Sequence, residues 1–340
     1  MRALLVFCAL AGALLSGGMD GVCADPVSKA SFVTLGGLRQ WVDVEGQDSR
    51  NPVLLVVHGG PGEAQGMQAE KYKPWQRDFT VVQWDQRGAG HTFGLYGAKT
   101  PDVTLDRIAK DGIELAQYLC RTEGKRRIIV LGHSWGSTVA IHMVTQHPDL
   151  FAAYVGTGQV SSWKAQVDSQ FDLLLAKARA EHDDAAVKML EAVGRPNPAD
   201  AHQYFAFTKG LGAAMAPSDQ QWLKALRERG RALIAAGDKD VKDMAEGMDF
   251  SAEHVLPDQM ATDLPATATR IDTAFFVIQG QNDVVTPTRA AVEYFNVVHA
   301  PQKTLVLIPD AGHFAFMTHG TAFLDALTVK VRPAAIARGA

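Results

Sequence analysis

A chain of 340 residues with a net charge of −4 is too long for one small domain and fits one large α/β domain carrying an insertion. Neither that charge nor any lysine-rich run suits a nucleic-acid partner. No apolar stretch of about 20 residues lies inside the body of the chain, so no internal membrane span is expected.

The N-terminus is different. Met1-Arg2 is followed by an almost wholly apolar run from Ala3 to Leu15 and by small residues ending Val22-Cys23-Ala24. These are the three parts of a secretory signal over residues 1–24, so the mature protein is expected to be periplasmic or secreted and free of membrane once the signal is removed. Cys8 and Cys23 fall within it. Cys120 would then remain alone, with no internal disulfide and a place on the core or flank of a helix.

Ser31–Leu35 and Gln40–Val44, separated by Gly36-Gly37, read as a hairpin. Pro52–Val57 is apolar throughout and reads as a central strand. It runs into His58-Gly59-Gly60-Pro61-Gly62, a turn whose backbone N–H groups can face a ligand. Phe79–Trp84 is the next strand and leads to Asp85-Gln86-Arg87-Gly88-Ala89-Gly90, where Asp85 and Arg87 are expected to brace the loop by a salt bridge. Thr104 is placed to cap a helix.

Ile128–Leu131 is another buried strand, and a helix is expected over 138–147. Between them Gly132, Ser134 and Gly136 form G-x-S-x-G, the strand–turn–helix context of a nucleophile elbow. A side chain at Gly132 or Gly136 would strike the neighbouring strand or helix, and Ser134 is expected to be strained. Ala152–Val155 closes this first core segment, residues 25–160.

Strand-like runs then disappear. Helices are expected over Ala165–Ala180, Ala185–Val193, Ala201–Thr208, Asp219–Ala236 and Val241–Glu246, a helical lid over residues 161–269 that covers the strand ends. Alternation resumes in a second core segment, residues 270–340, with strands Thr273–Ile278 and Thr304–Ile308, a helix Thr288–Val298 and a last helix from about Ala322 to Val331. The pattern predicts a mostly parallel central sheet with helices on both faces.

Ser134, Asp283 and His313 each follow a predicted strand, in the chain order Ser…Asp…His. Ser134 would be the nucleophile, His313 its base and Asp283 the group orienting the imidazole. Asp310 is the rival acid. The backbone N–H groups of Gly60 and Trp135 would form the oxyanion hole. The remaining histidines show no metal-ligand spacing, and neither a catalytic metal nor a cofactor is expected.

HGGPG at 58–62, WDQRGAG at 84–90, GHSWGS at 132–137 and Gly312-His313 resemble the proline iminopeptidase (prolyl aminopeptidase) family of α/β-hydrolases. The resemblance implies an α/β-hydrolase fold and a serine hydrolase that releases an N-terminal residue, often proline, from short peptides through an acyl-enzyme. It also implies acidic side chains that hold the substrate amine, several of them from the lid. Glu63 and Glu246 are the candidates taken forward, with Glu181, Glu191 and Glu253 beside them. The sequence departs from the family in His133, where the motif commonly has glycine, as in many esterases. Two other readings stay open. One is a carboxylic-ester or lactone hydrolase using the same triad; the other is a small-molecule binder that kept the fold and lost turnover.

Overall fold

The computed structural model describes residues 25–340 apart from 198–199, 201–202, 204–206 and 208–209. The expected signal segment 1–24 and most of the expected helix over 201–208 lie outside the described residues.

Apolar side chains on both faces of a strand demand cover on both sides. Successive residues of β3 (Val53–Val57) meet that demand in alternation. Val53, Leu55 and Val57 pack into one core layer with α2 (Leu105–Thr122) and α3 (Trp135–Gln146), which follow the short α1 (Gly90–Tyr96) in the chain. Leu54 and Val56 pack into a second layer with Tyr72 and Trp75 of the 3₁₀ stretch Gly66–Arg77, and with Phe323, Leu327 and Val331 near the C-terminus. The other strands are β1 (Val27–Leu35), β2 (Leu38–Gly46), β4 (Thr80–Trp84), β5 (Ile128–His133), β6 (Phe151–Thr157), β7 (Ala274–Gly280) and β8 (Lys303–Ile308), in the order β1-β2-β4-β3-β5-β6-β7-β8. β1–β2 and β2–β4 are antiparallel, and every later pairing is parallel. The expected mostly parallel sheet is present, with the hairpin arms each longer than the sequence pattern suggested.

The side on which successive strands are added reverses at β3, since β4 lies on one side of β3 and β5 on the other. Such a switch point leaves a crevice at the carboxyl ends of the strands. Val57 is in register with Gly132, so the glycine turn after β3 and the Ser134 turn after β5 flank that crevice.

The insertion between β6 and β7 is closed at its base by the pairing of Ser162 with Asp263. It contains α4 (Trp163–Ala180), α5 (Asp184–Val193), a helical turn Leu211–Ala214, α6 (Pro217–Ala235) and α7 (Lys239–Met260). Ser162, Asp183 and Asp238 cap α4, α5 and α7 by accepting backbone N–H bonds. The sequence pattern ended α7 at Glu246; it runs 14 residues further. Gly247 interrupts the helical propensity, but there a Cβ would lie 2.9 Å from the Gly88 carbonyl oxygen, and Ser251 Oγ donates to that same oxygen at 2.8 Å. Tertiary packing onto the loop after β4 overrides the local signal.

The second core segment adds α8 (Thr288–Val297), α9 (Gly320–Ala326) and α10 (Arg332–Ile336). The single last helix expected over 322–331 is instead α9, a π turn over Leu327–Val331 and α10. Asp85 and Arg87 do brace their loop, but not by pairing with each other. Asp85 accepts from His91 N and Nδ1, both at 2.8 Å. Arg87 forms a buried pair with Asp111 at 2.9 Å, joined by Arg107 and Gln40.

Candidate active site

Ser134 has φ 53° and ψ −124°, a conformation that L side chains rarely adopt. The turn is held by Ser134 N donating to the Thr157 carbonyl (2.9 Å) and by Ser137 Oγ donating to the Ser134 carbonyl (2.7 Å). Both flanking glycines are sterically required. A Cβ on Gly132 would sit 2.5 Å from the Gly136 carbonyl oxygen, and one on Gly136 only 2.1 Å from that of Val57. Ser134 thus stands between β5 and the first turn of α3. Trp135 is the first residue of α3, where a backbone N–H has no partner within the helix.

The turn after β3 lies opposite. Its His58 is buried and neutral, because burial holds its pKa below the ordinary histidine value. Gln86 ties it down, its side chain donating to the His58 carbonyl at 3.0 Å. The signature segments after β3 and β4 therefore form one braced unit. Gly60 has φ 104°, and a Cβ there would lie 2.7 Å from Glu63 N. Gly60, Trp135 and Ser134 line the same cavity of about 420 Å³.

Asp283 and His313, brought from the ends of β7 and β8, are both buried. His313 Nδ1 is 2.9 Å from Asp283 Oδ2. A carboxylate has no proton to give, so Nδ1 carries the hydrogen and Nε2 keeps its lone pair. The carboxylate is held by Gln279 Nε2 (2.9 Å), Val285 N (2.8 Å), Thr286 N (3.0 Å) and Thr286 Oγ1 (2.9 Å). Burial opposes the imidazolium, yet attraction to Asp283, with Asp219 and Glu63 adding to it, outweighs that and raises the His313 pKa above its ordinary value. The rival Asp310 is solvent-exposed in a left-handed turn (φ 58°). His133, beside Ser134 in the chain, has its ring 4.8 Å from that of His313 and its Nε2 3.2 Å from the His313 carbonyl oxygen. Burial, reinforced by His313, keeps His133 neutral. A strained serine hydroxyl, an imidazole with an oriented lone pair and two glycine-shaped backbone turns can together support nucleophilic acyl transfer.

The acidic candidates separate sharply. Glu63 follows the glycine turn, and its carboxyl is enclosed by protein although the residue keeps some solvent contact. Burial pushes its pKa up to about 7, with His313 pulling the other way. Glu246 is not at the site: it is exposed on α7 and lies 3.5 Å from Lys242 Nζ. Its neighbours at each helical turn show why, since the buried face of α7 is Gly247, Ser251 and Val255. Glu181, Glu191 and Glu253 are exposed as well, the first two paired with Lys177 and Arg179.

Asp219, in the first turn of α6, was missed by sequence reasoning. It is fully buried; its carboxylate accepts from Phe314 N at 3.4 Å and lies against Gly312, so that a Cβ there would be 2.2 Å from Oδ2. Burial raises its pKa. An aspartate two residues into a helix reads as ordinary dipole compensation, so no sequence signal marked it out.

The family model described as "Serine aminopeptidase, S33" matches residues 48–318. The chain belongs to that family. It is 25% identical over 310 residues to "Probable aminopeptidase YbaC" of Bacillus subtilis, covering 88% of this chain and 95% of that protein. Among solved structures, the proline iminopeptidase of Mycobacterium smegmatis aligns with a TM-score of 0.60 at 18% identity, over 92% of this chain and 99% of that one. An esterase from Thermogutta terrifontis aligns with a TM-score of 0.54 at 20% identity, over 92% and 99%. The family is a hydrolase family, and the α/β-hydrolase fold is shared by both structural neighbours. Among the described residues no three metal-ligating side chains converge, and no helix is long and apolar enough to cross a membrane.

Proposed function

We propose that this protein is an exported serine aminopeptidase that releases N-terminal residues from short peptides through an acyl-enzyme on Ser134. The observation that carries the reading is the His313–Asp283 pair fixed at 2.9 Å, with the His313 ring 4.8 Å from that of His133, the neighbour of the strained Ser134. His313 Nε2 takes the Ser134 proton as Oγ attacks the carbonyl carbon. Gly60 N–H and Trp135 N–H receive the developing oxyanion, an interaction worth roughly 3–4 kcal/mol per donor. The imidazolium then protonates the departing amine, and water releases the acyl group by the reverse sequence.

A free amine needs an anionic partner out of water. Of the five glutamates considered, Glu63 is the one whose carboxyl is enclosed near His313. An ammonium beside it would favour its ionised form and form a charge-assisted hydrogen bond. The helices of the insertion act as a lid that narrows the cavity and excludes water. Export rests on the leader-like composition of residues 1–24.

One observation favours an ester or lactone hydrolase instead: the described lining of the 420 Å³ cavity contains no carboxylate. Paired rates on the mature protein decide between them. The substrates are a prolyl amide with a free N-terminus, its N-acetylated form and a simple aryl ester. A kcat/KM that falls at least ~100-fold on acetylation supports the aminopeptidase. Equal slow amide rates with fast ester cleavage support the esterase. Absence of covalent labelling of Ser134 by a fluorophosphonate would refute both and leave the binder.

A further inference from the structure

The one charged side chain in the described lining of the Ser134 cavity is Arg227, contributed by α6. Among the described residues it makes no ion pair or hydrogen bond. A guanidinium at a cavity wall is weakly hydrated and presents a planar fork of donors that matches a carboxylate. Around it the wall is Trp163, Leu211, Met215 and Leu256, with Gln166 and Gln259 as neutral polar groups. Arg227 also borders a second cavity of about 430 Å³, whose lining includes Glu63 and Arg231 and is otherwise mainly apolar, with Met67, Met244 and Met248.

We infer that Arg227 is a specificity residue that binds the terminal carboxylate of the substrate, so that the preferred substrates are di- and tripeptides with a free C-terminus. The inference rests on the aminopeptidase reading for its peptide form. In a peptide cleaved at its first bond the acyl part carries the amine and the departing fragment carries the carboxylate. Arg227, which borders both cavities, would then meet the carboxylate end in the Ser134 cavity, while Glu63 in the adjoining cavity would meet the amine end. A cavity of about 420 Å³ is at the small end of the range that holds drug-sized ligands, which suits two or three residues rather than a long chain.

The test compares kcat/KM for prolyl-alanine and prolyl-alaninamide in the wild type, Arg227→Gln and Arg227→Lys. It also compares the 4-carboxyphenyl and 4-carbamoylphenyl esters of one acyl group. Arg227 is solvent-exposed, so its replacement spares the core. In the wild type the acid is expected to exceed the amide by about tenfold. Arg227→Gln should bring that ratio close to one, and Arg227→Lys should keep part of it. Peptide cleavage with a wild-type ratio near one, or a ratio unchanged in Arg227→Gln, overturns the inference and leaves the aminopeptidase reading intact. Failure to cleave either peptide, with an Arg227-dependent preference for the carboxyphenyl ester, keeps the carboxylate site and removes the aminopeptidase.

Discussion

Replacing Asp283 by asparagine tests the proposed catalytic assembly at its most constrained point. Oδ1 accepts two backbone N–H groups, from Val285 and Thr286. An amide NH₂ there would face both backbone N–H groups, whereas at Oδ2 it would face one amide donor, Gln279 Nε2, and a hydroxyl of Thr286 that can rotate to accept; the oxygen of the introduced amide is therefore expected to stay at Oδ1 and its nitrogen to replace Oδ2. Oδ2 is the atom that faces His313 Nδ1 at 2.9 Å. The imidazole would then have to accept at Nδ1 and carry its hydrogen on Nε2, where the Ser134 proton should go. The same exchange in a serine protease triad lowers kcat by about 10⁴, or about 5 kcal/mol of barrier. We therefore expect a fall in kcat on that order on any acyl substrate, measured as initial rates from about pH 6 to about pH 9. Asp310→Asn, at an exposed turn, should stay within a fewfold of the wild type. A loss below tenfold for Asp283→Asn, or a larger loss for Asp310→Asn, would refute the assignment of acid and tautomer alike.

Asp219→Asn removes a negative charge that favours the imidazolium, so the acid limb of the kcat/KM profile should move to lower pH; a profile that falls in height without moving would mean Asp219 only holds the loop. Glu63 titrates near 7 in the fold against an ordinary value near 4.5, so the folded state binds a proton that the unfolded chain releases between those values. Stability from that proton is fully present below about 4.5 and is lost as pH rises through about 7. Glu63→Gln should accordingly melt higher than the wild type at about pH 8 and lose the advantage near pH 4. The difference is capped at about 3 kcal/mol and reduced by the residue's solvent contact, and thermal melts across that range read it directly. Gly136→Ala would drive a Cβ against two backbone carbonyls, at 2.1 and 2.6 Å. It should destabilise by about 1–3 kcal/mol or more in urea unfolding.

The sheet was legible because buried parallel strands are short apolar runs bounded by glycine-rich turns, as at 53–57 and 128–131. The positions of the proposed triad could be singled out for a related reason: each follows such a run, and G-x-S-x-G has steric requirements that the Cβ clashes at Gly132 and Gly136 bear out. The loop over Asp85–Arg87 was read only halfway, since a bracing role is visible in the residue types but the choice of Asp111 and His91 as partners is not.

What the chain by itself determined is the order of strands and turns, and with it which residues stand at the carboxyl edge of the sheet. Only the tertiary structure decided which face of each inserted helix meets that edge. Charged residues occur on both faces, and burial of one face depends on what it packs against rather than on local pattern. Asp219 is enclosed because α6 rests on the His313 turn, while Glu246 faces water because Gly247 and Ser251 are the side of α7 that seats on Gly62 and Gly88. Arg227 became the charge at the cavity wall by the same packing. The proposed substrate contacts lie on those faces, which is why they could not be read from residue types alone.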